Sequence, residues 1–293
     1  MAENKILICI GGPTASGKTA LAIQLAEKYH TEILSVDSRQ FYREMNIGTA
    51  KPTKEEQDRV PHHFINHVSI HDPYDIGLFE KESMTLLEDR FKHHDILIAA
   101  GGSGLYFKAM LEGIDTFPPV SPHILNQLQK EYIEKGIDYL KGQLQQIDPY
   151  YFQIVDQNNP VRLIRAISIF RETGLPFSTF RTGKKADRFF ETHCFYLSPP
   201  REILYQKIND RVDKMLNDGL IDEVRSLQEF KELKALQTVG YTELFKYFSN
   251  EYEIKEAILK IKQHTRQYAK RQLTWFNNAE NWKKWEDVNT IIF

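Results

Sequence analysis

Lys5-Ile6-Leu7-Ile8-Cys9-Ile10 runs into Gly11-Gly12-Pro13-Thr14-Ala15-Ser16-Gly17-Lys18-Thr19, which runs into Ala20-Leu21-Ala22-Ile23-Gln24-Leu25-Ala26-Glu27-Lys28-Tyr29. The first stretch is a short apolar run closed by glycine and reads as a buried strand; the last reads as a helix. Between them Gly12 to Thr19 matches G-x-x-x-x-G-K-[ST] in full, in the strand-to-helix context that gives the motif its meaning. The glycines let successive backbone N–H groups turn inward around a phosphate, and the helix that follows offers its positive N-terminal end. Lys18 adds a mobile charge and Thr19 a hydroxyl suited to Mg²⁺. Gly12, Pro13, Thr14, Ala15, Ser16, Gly17, Lys18 and Thr19 are thus the candidate phosphate-binding residues. The ligand stays open, because a diphosphate on any organic group satisfies the same donors; ATP is only the default.

Outward from this loop, apolar runs bounded by Gly, Ser or Asp recur at Lys5–Ile10, Glu32–Val36, His63–Val68, Asp95–Ala100 and His193–Leu197, with helix-period segments between several of them. This rhythm predicts an α/β fold, a P-loop NTPase-like parallel sheet flanked by helices. From Pro118–Pro119 to about Phe190 the pattern is helical, with Ile124, Leu125, Leu128, Ile137, Leu140, Leu144, Val161, Leu163, Ile164, Ile167, Ile169 and Phe170 as its apolar positions. An all-helical insertion domain between two core strands explains it. The expected division is 1–118 for the first part of the core, 119–189 for the insertion, and 190–293 for the rest, all helical from Pro200 onward.

The 293 residues carry 38 Lys+Arg against 40 Asp+Glu, a formal net charge of -2, so any nucleic-acid surface must rest on local asymmetry. With 41% apolar residues the composition is that of an ordinary soluble globular protein. No signal-peptide layout and no run of ~20 apolar residues is present, which predicts a cytoplasmic protein without a membrane span. Cys9 and Cys194 lie in apolar runs and are expected to be buried, reduced thiols.

A loop serving triphosphate hydrolysis comes with a Mg²⁺-holding acid at a nearby strand tip. Asp95–Ala100 instead ends in Gly101-Gly102-Ser103-Gly104. Asp37 is the acid placed at the end of a core strand, and strand ends form the ligand crevice of parallel sheets. It reads three ways: a water-linked Mg²⁺ ligand, a general base, or a helix cap for the residues that follow.

The stretch Asp37-Ser38-Arg39-Gln40-Phe41-Tyr42-Arg43-Glu44-Met45-Asn46-Ile47-Gly48-Thr49-Ala50-Lys51-Pro52 resembles the tRNA dimethylallyltransferase family. So do Gly12–Thr19, Pro61-His62-His63, Gly101-Gly102-Ser103-Gly104-Leu105-Tyr106, Arg211-Val212-Asp213-Lys214-Met215 with Gly219-Leu220, Val239-Gly240-Tyr241, and Thr265 to Phe276, in family order over nearly the whole chain. The resemblance implies transfer of the dimethylallyl group of dimethylallyl diphosphate to N6 of the adenosine 3′ of the tRNA anticodon, with Mg²⁺ required. It implies that the loop holds the donor's diphosphate, with Lys18, Thr19-bound Mg²⁺ and Arg211 stabilising it as it leaves. Asp37 matches the family's base, and Ser103 stands where many members carry Thr, keeping the hydroxyl. Phe41, Glu44, Asn46 and Thr238 also depart from the usual residues without removing a group the chemistry needs. The end at Phe293, without a Cys/His extension, implies the bacterial type.

The resemblance further marks Asp37, Ser38, Arg39 and Gln40, then Val161, Arg162, Leu163, Ile164 and Arg165, then Leu236 to Tyr241 including Gly240, as tRNA-contacting segments. Two basic regions fit such a partner. Lys255, Lys260, Lys262, Arg266, Lys270, Arg271, Lys283 and Lys284 face only Glu256 and Glu280, and on a helix Gln263, Arg266 and Lys270 share a face apart from a buried stripe of Ala257, Ile258, Ile261, Thr265, Tyr268 and Trp275. Arg162, Arg165, Arg171, Arg181, Lys184, Lys185 and Arg188 form the second region. Alone, each region reads equally as a solvated face. A metal reading of His62, His63, His67 and His71 has no fitting ligand spacing, and Trp275, Phe276, Trp282 and Trp285 read as core packing. The partners expected are the tRNA anticodon stem-loop and dimethylallyl diphosphate, for a monomer. Rival readings are an isopentenyltransferase acting on free adenine nucleotide and a small-molecule kinase with the same loop.

Overall fold

The computed structural model describes residues 5–285. The two chain ends, on which the expectations about a leader and a C-terminal extension rest, lie outside these residues. The chain forms two compact units, one of Met1–Glu112 with Asp187–Phe293, the other of Gly113–Ala186.

The first unit is built on β1 (Ile6–Gly11), α1 (Lys18–Lys28), β2 (Ile33–Ser35), α2 (Lys54–Arg59), β3 (His62–His63), α3 (Ile76–Arg90), β4 (Ile96–Ala100) and α4 (Gly104–Glu112). The second holds α5 (Pro122–Ile147), α6 (Pro149–Ile154), α7 (Pro160–Thr173) and α8 (Phe177–Phe180). The chain then returns to the first unit with β5 (Glu191–Tyr196), α9 (Arg201–Asn217), α10 (Leu220–Ser226), α11 (Tyr241–Phe248), α12 (Ile254–Asn278) and β6 (Trp282–Lys284).

All sheet pairings are parallel, in the order β3-β2-β4-β1-β5-β6, the P-loop NTPase-like arrangement the sequence predicts. Strand side chains alternate between faces, and β1 divides accordingly. Leu7 and Cys9 join Leu97, Ala99, Phe79 and Phe107 in one core; Ile8 and Ile10 join Leu21, Leu25 and Ile98 in another. Helices therefore cover both faces, as a parallel sheet requires. A third core, of Phe41, Met45, Leu220, Leu236, Tyr241 and Ile261 among others, packs the segment after β2 against α9 to α12.

Two expectations fail. The strand at His63–Val68 shortens to His62–His63, because Phe64 and Asn66 take φ of 60° and 55° and turn the chain out of the sheet. The region after Pro200 is not all helical: β6 pairs with β5, Cys194 opposite Trp282, and forms one edge of the sheet. Trp275, Phe276 and Trp282 pack together, and Trp285 stands edge-on to Phe195, as core aromatics do. Cys9 and Cys194 are free, buried and directly opposite each other on β1 and β5; burial and the neighbouring thiol raise the Cys9 pKa.

The helical unit has its own core of Leu128, Leu140, Leu144, Leu163, Ile167 and Phe177. Its longest helix bends at Gly136, whose φ of 76° and ψ of -177° interrupt the helical run. Asp148, 2% exposed, accepts from Tyr151 N–H at 3.0 Å and from the Ser178 N–H and hydroxyl at 2.7 and 2.8 Å, tying α6 to α8. Leu163 belongs to this core, which removes its side chain from the RNA-facing set, while Val161, Arg162 and Arg165 are exposed. Ile164 is partly buried against the same core. Arg171 is also withdrawn, donating to Glu131 at 3.0 and 2.7 Å and to Gln143 at 2.8 Å.

Candidate active site

The carboxyl ends of β1, β2 and β4 open into a cavity of about 740 Å³ in the first unit. On β1 the loop residue Gly12 has φ of 136°, and a side chain there would meet Leu197 O at 2.8 Å, so only glycine fits. Ala15 and Gly17 also take positive φ, 63° and 97°, which turns the loop into an anion-binding concavity at the start of α1. Ser16 Oγ is buried there, with no hydrogen-bond partner among the described residues.

Two cations flank the loop. Lys18 Nζ donates to Pro13 O at 2.6 Å, and Arg211, from α9, donates to Thr14 Oγ1 at 3.2 Å. Burial, with Arg211 nearby, lowers the Lys18 pKa to about 7, although Asp37 pulls the other way; burial lowers Arg211 as well. Two partly desolvated basic groups thus stand at one end of the loop.

The tips of β2 and β4 touch backbone to backbone. A side chain on Gly101 would stand 1.9 Å from Val36 O. This approach lets Ser103 Oγ accept from Ser38 N–H at 3.0 Å. Asp37 Oδ1 accepts from Arg39 N–H at 2.8 Å and Gln40 N–H at 3.3 Å, which closes a turn; no helix follows for it to cap, and the residue lines the cavity. Arg39 Nη1 donates to Ser38 O at 3.1 Å. Gln40 lines the cavity and also braces the turn: it accepts from Ser35 Oγ at 2.9 Å and donates to Thr49 O and Ala50 O at 3.2 and 3.1 Å.

On the C-terminal side, Gln263 and Lys270 are exposed on α12, and Arg266 is partly buried, donating to Asn209 Oδ1 at 2.8 Å. Gly240 lines the cavity with φ of 96°. Tyr241 does not present its side chain: it is 0% exposed, and its hydroxyl donates to Glu223 at 2.6 Å. Arg188 likewise leaves the basic surface, donating to Glu80 at 2.7 Å. The buried stripe of α12 is Ala257, Ile261, Ala269, Gln272 and Phe276, rotated from the expected one, so Thr265 and Tyr268 face the cavity.

Three working groups escaped the sequence reading. Glu223 accepts from the N–H groups of Asn46, Ile47 and Gly48 at 2.9, 2.7 and 3.0 Å, clamping the segment that follows Asp37. Gln272, 7% exposed, accepts from Thr14 N–H and donates to Gly102 O, both at 2.9 Å, joining the phosphate loop to the β4 tip. Tyr268 lines the cavity with Asp37, and burial together with the Asp37 charge pushes it up to about 12, with Arg39 and Ser103 opposing. His264, Tyr268 and Gln272 recur every four residues on a helix, the one signal that could have shown a shared face. For His62, His63, His67 and His71, no group of three or more His, Cys, Asp or Glu among the described residues could hold a metal. His63 instead meets Glu32 at 2.6 Å and His67 meets Glu82 at 2.8 Å.

The IPP transferase family model matches residues 40–279. A tRNA dimethylallyltransferase of Christiangramia forsetii is 49% identical over 98% of this chain and 96% of its own length. One of Cytophaga hutchinsonii is 46% identical over 94% and 90%. The crystal structure of a tRNA isopentenylpyrophosphate transferase from Bacillus halodurans superposes with a TM-score of 0.70 at 33% identity, covering 96% of this chain and 89% of that one. A eukaryotic dimethylallyltransferase acting on tRNA superposes with a TM-score of 0.79 at 29% identity, covering 93% and 70%.

Proposed function

The chain belongs to the IPP transferase family, and from that premise we propose how its cavity moves a dimethylallyl group from dimethylallyl diphosphate to N6 of the adenosine 3′ of a tRNA anticodon. The observation that carries the reading is the pairing of Lys18 and Arg211 over a phosphate loop with Asp37 and Ser103 lining or bordering the same cavity. The loop residues Gly12 to Thr19 hold the donor's diphosphate. As the allylic C–O bond breaks, its electron pair passes to the diphosphate, and Lys18, Arg211 and the loop N–H groups stabilise that charge where it develops. The N6–C bond forms, and the N6 proton passes to Asp37, whose Oδ1 holds the turn and whose Oδ2 is left to receive it. Ser103 fixes the β2 tip through Ser38 so that this carboxylate keeps its place.

The residues also fit Mg²⁺, a hard cation that takes oxygen donors and substrate phosphates. Thr19, the orphaned Ser16 hydroxyl and Asp37 present oxygen donors at the cradle. When bound, Mg²⁺ would add charge neutralisation at the departing diphosphate.

The RNA partner is the anticodon stem-loop, whose target base must leave its stack to reach the cavity. Exposed Val161, Arg162 and Arg165 in the helical unit, and Gln263, Arg266 and Lys270 on α12, are its proposed contacts. No helix among the described residues is long and apolar enough to cross a membrane, and the proposal places the enzyme in the cytoplasm as a monomer.

The test is incubation with Mg²⁺, labelled dimethylallyl diphosphate, and either an unmodified anticodon stem-loop or AMP, with Asp37→Ala alongside. Label entering the RNA, and lost in the variant, supports the reading. Label in AMP alone makes the chain a nucleotide prenyltransferase, and ATP consumption with no label in either makes it a kinase.

A further inference from the structure

One hydrogen-bonded pair in the cavity wall, Glu243 with His264, has no part in the chemistry above. Glu243 is 3% exposed, yet it carries an ionisable group. Its Oε2 accepts from Gly240 N–H at 2.7 Å and from Thr242 Oγ1 at 3.0 Å, which caps the start of α11. Its Oε1 stands 2.5 Å from His264 Nδ1 on α12. Capping needs one oxygen; the second holds an imidazole. The pair is not required to join the helices, since Tyr241, Leu244, Ala257 and Ile261 already pack them through a buried core.

A carboxylate on Nδ1 fixes the ring's orientation and proton, and so determines what Nε2 can offer. Both residues line the cavity, and the His264 side chain keeps 37% of its exposure. Among the described residues Nε2 has no hydrogen-bond partner.

The helix also acts as a ruler. Gln272 touches the phosphate loop, Tyr268 lines the same cavity as Asp37, and His264 lies eight residues before Gln272, roughly 12 Å along the axis at 1.5 Å per residue. A polar nitrogen at that level gains nothing from a hydrocarbon tail, and the diphosphate is held at the other end. The acceptor nucleic acid is the polar occupant that remains.

We propose that His264, oriented by Glu243, is a further positioning residue that hydrogen-bonds the acceptor RNA through Nε2 beside the target adenosine. This rests on the reading of the cavity as a tRNA site.

A fluorescent, unmodified anticodon stem-loop titrated against the full chain tests it by anisotropy. His264→Asn keeps a donor toward Glu243 and removes the Nε2 group; His264→Gln places an amide where Nε2 stood. His264→Asn is expected to weaken stem-loop binding about tenfold, and His264→Gln to restore most of it, with inorganic diphosphate binding unchanged in both. If His264→Asn melts below the wild type, His264→Ala carries the same test, with the same tenfold loss expected. Stem-loop binding equal to wild type in the Asn or Ala variant overturns the proposal and leaves the pair a structural bridge. Because binding is read without turnover, a stem-loop held through His264 but never prenylated would overturn the functional reading and not this one.

Discussion

A neutral amide braces the phosphate cradle where a charged group would fail. Gln272 must accept from the Thr14 N–H and donate to the Gly102 carbonyl at once, and no carboxylate can do both. Gln272→Glu sets a negative oxygen against Gly102 O and close to the incoming diphosphate. It should weaken diphosphate binding by about 2 kcal/mol, with Gln272→Ala costing about half as much; calorimetry with inorganic diphosphate measures both. Lys18 makes a second prediction at this scale. Its pKa is lowered to about 7, so above neutrality the free protein carries Lys18 largely unprotonated. A bound anion favours the charged form. Diphosphate binding at pH 8 should therefore take up a proton from buffer, while at pH 6, where Lys18 is already charged, that uptake should vanish. Calorimetry in buffers of different ionisation enthalpy separates the two, and pH-independent proton uptake would refute the assignment.

At the scale of elements, the meeting of β2 and β4 is the tightest joint in the site. Val36 N–H donates to Ala100 O at 2.8 Å, Ser103 N–H donates to Val36 O at 3.3 Å, and Gly101 leaves no room for a side chain. Gly101→Ala forces two backbones apart, since the obstruction at 1.9 Å is a carbonyl and not a flexible side chain. The expected cost is about 3 kcal/mol of stability, read by urea unfolding, with a loss of turnover beyond the loss of folded protein because Asp37 and Ser103 ride on the displaced tips. The elements also show what a sequence can reveal. The phosphate loop was legible because its geometry is written in consecutive residues, Gly12 to Thr19, between a strand and a helix. The strand tip at Asp37 followed from the same local pattern. By contrast β6, Trp-Lys-Lys after a long helix, has no alternation, and its strand character comes only from pairing with β5. Gln272 and Thr14 lie 258 residues apart, and Glu223 reaches Ile47 across 176, so neither contact leaves a trace in local spacing. The α12 stripe departs from its helical-wheel expectation for a related reason: its apolar and polar positions serve a cavity as well as a core, and Tyr268 suits either.

At the scale of the whole molecule, the chain divides its stability between two units with separate cores. In the second unit, helices α5 and α7 are joined by the Glu131–Arg171 pair with Gln143 as a third member. The Arg171 guanidinium holds the Glu131 carboxyl down at about 2, against an ordinary value of 4.5. A carboxylate depressed in the folded state stabilises it fully above the unfolded value, and that contribution disappears as pH falls through the folded one. The pair is partly exposed, so its worth is about 1 kcal/mol, but it falls on the smaller core. Arg171→Ala should raise hydrogen exchange in α5 and α7 at neutral pH while β1, β4 and β5 exchange as in the wild type. Lowering the pH of the wild type from 4.5 toward 2 should reproduce the same local loosening, and the variant should show little further change from this source over that range. Exchange that rises equally in the sheet would mean that the two cores unfold as one, and that the helical unit is no independent body for the RNA to engage.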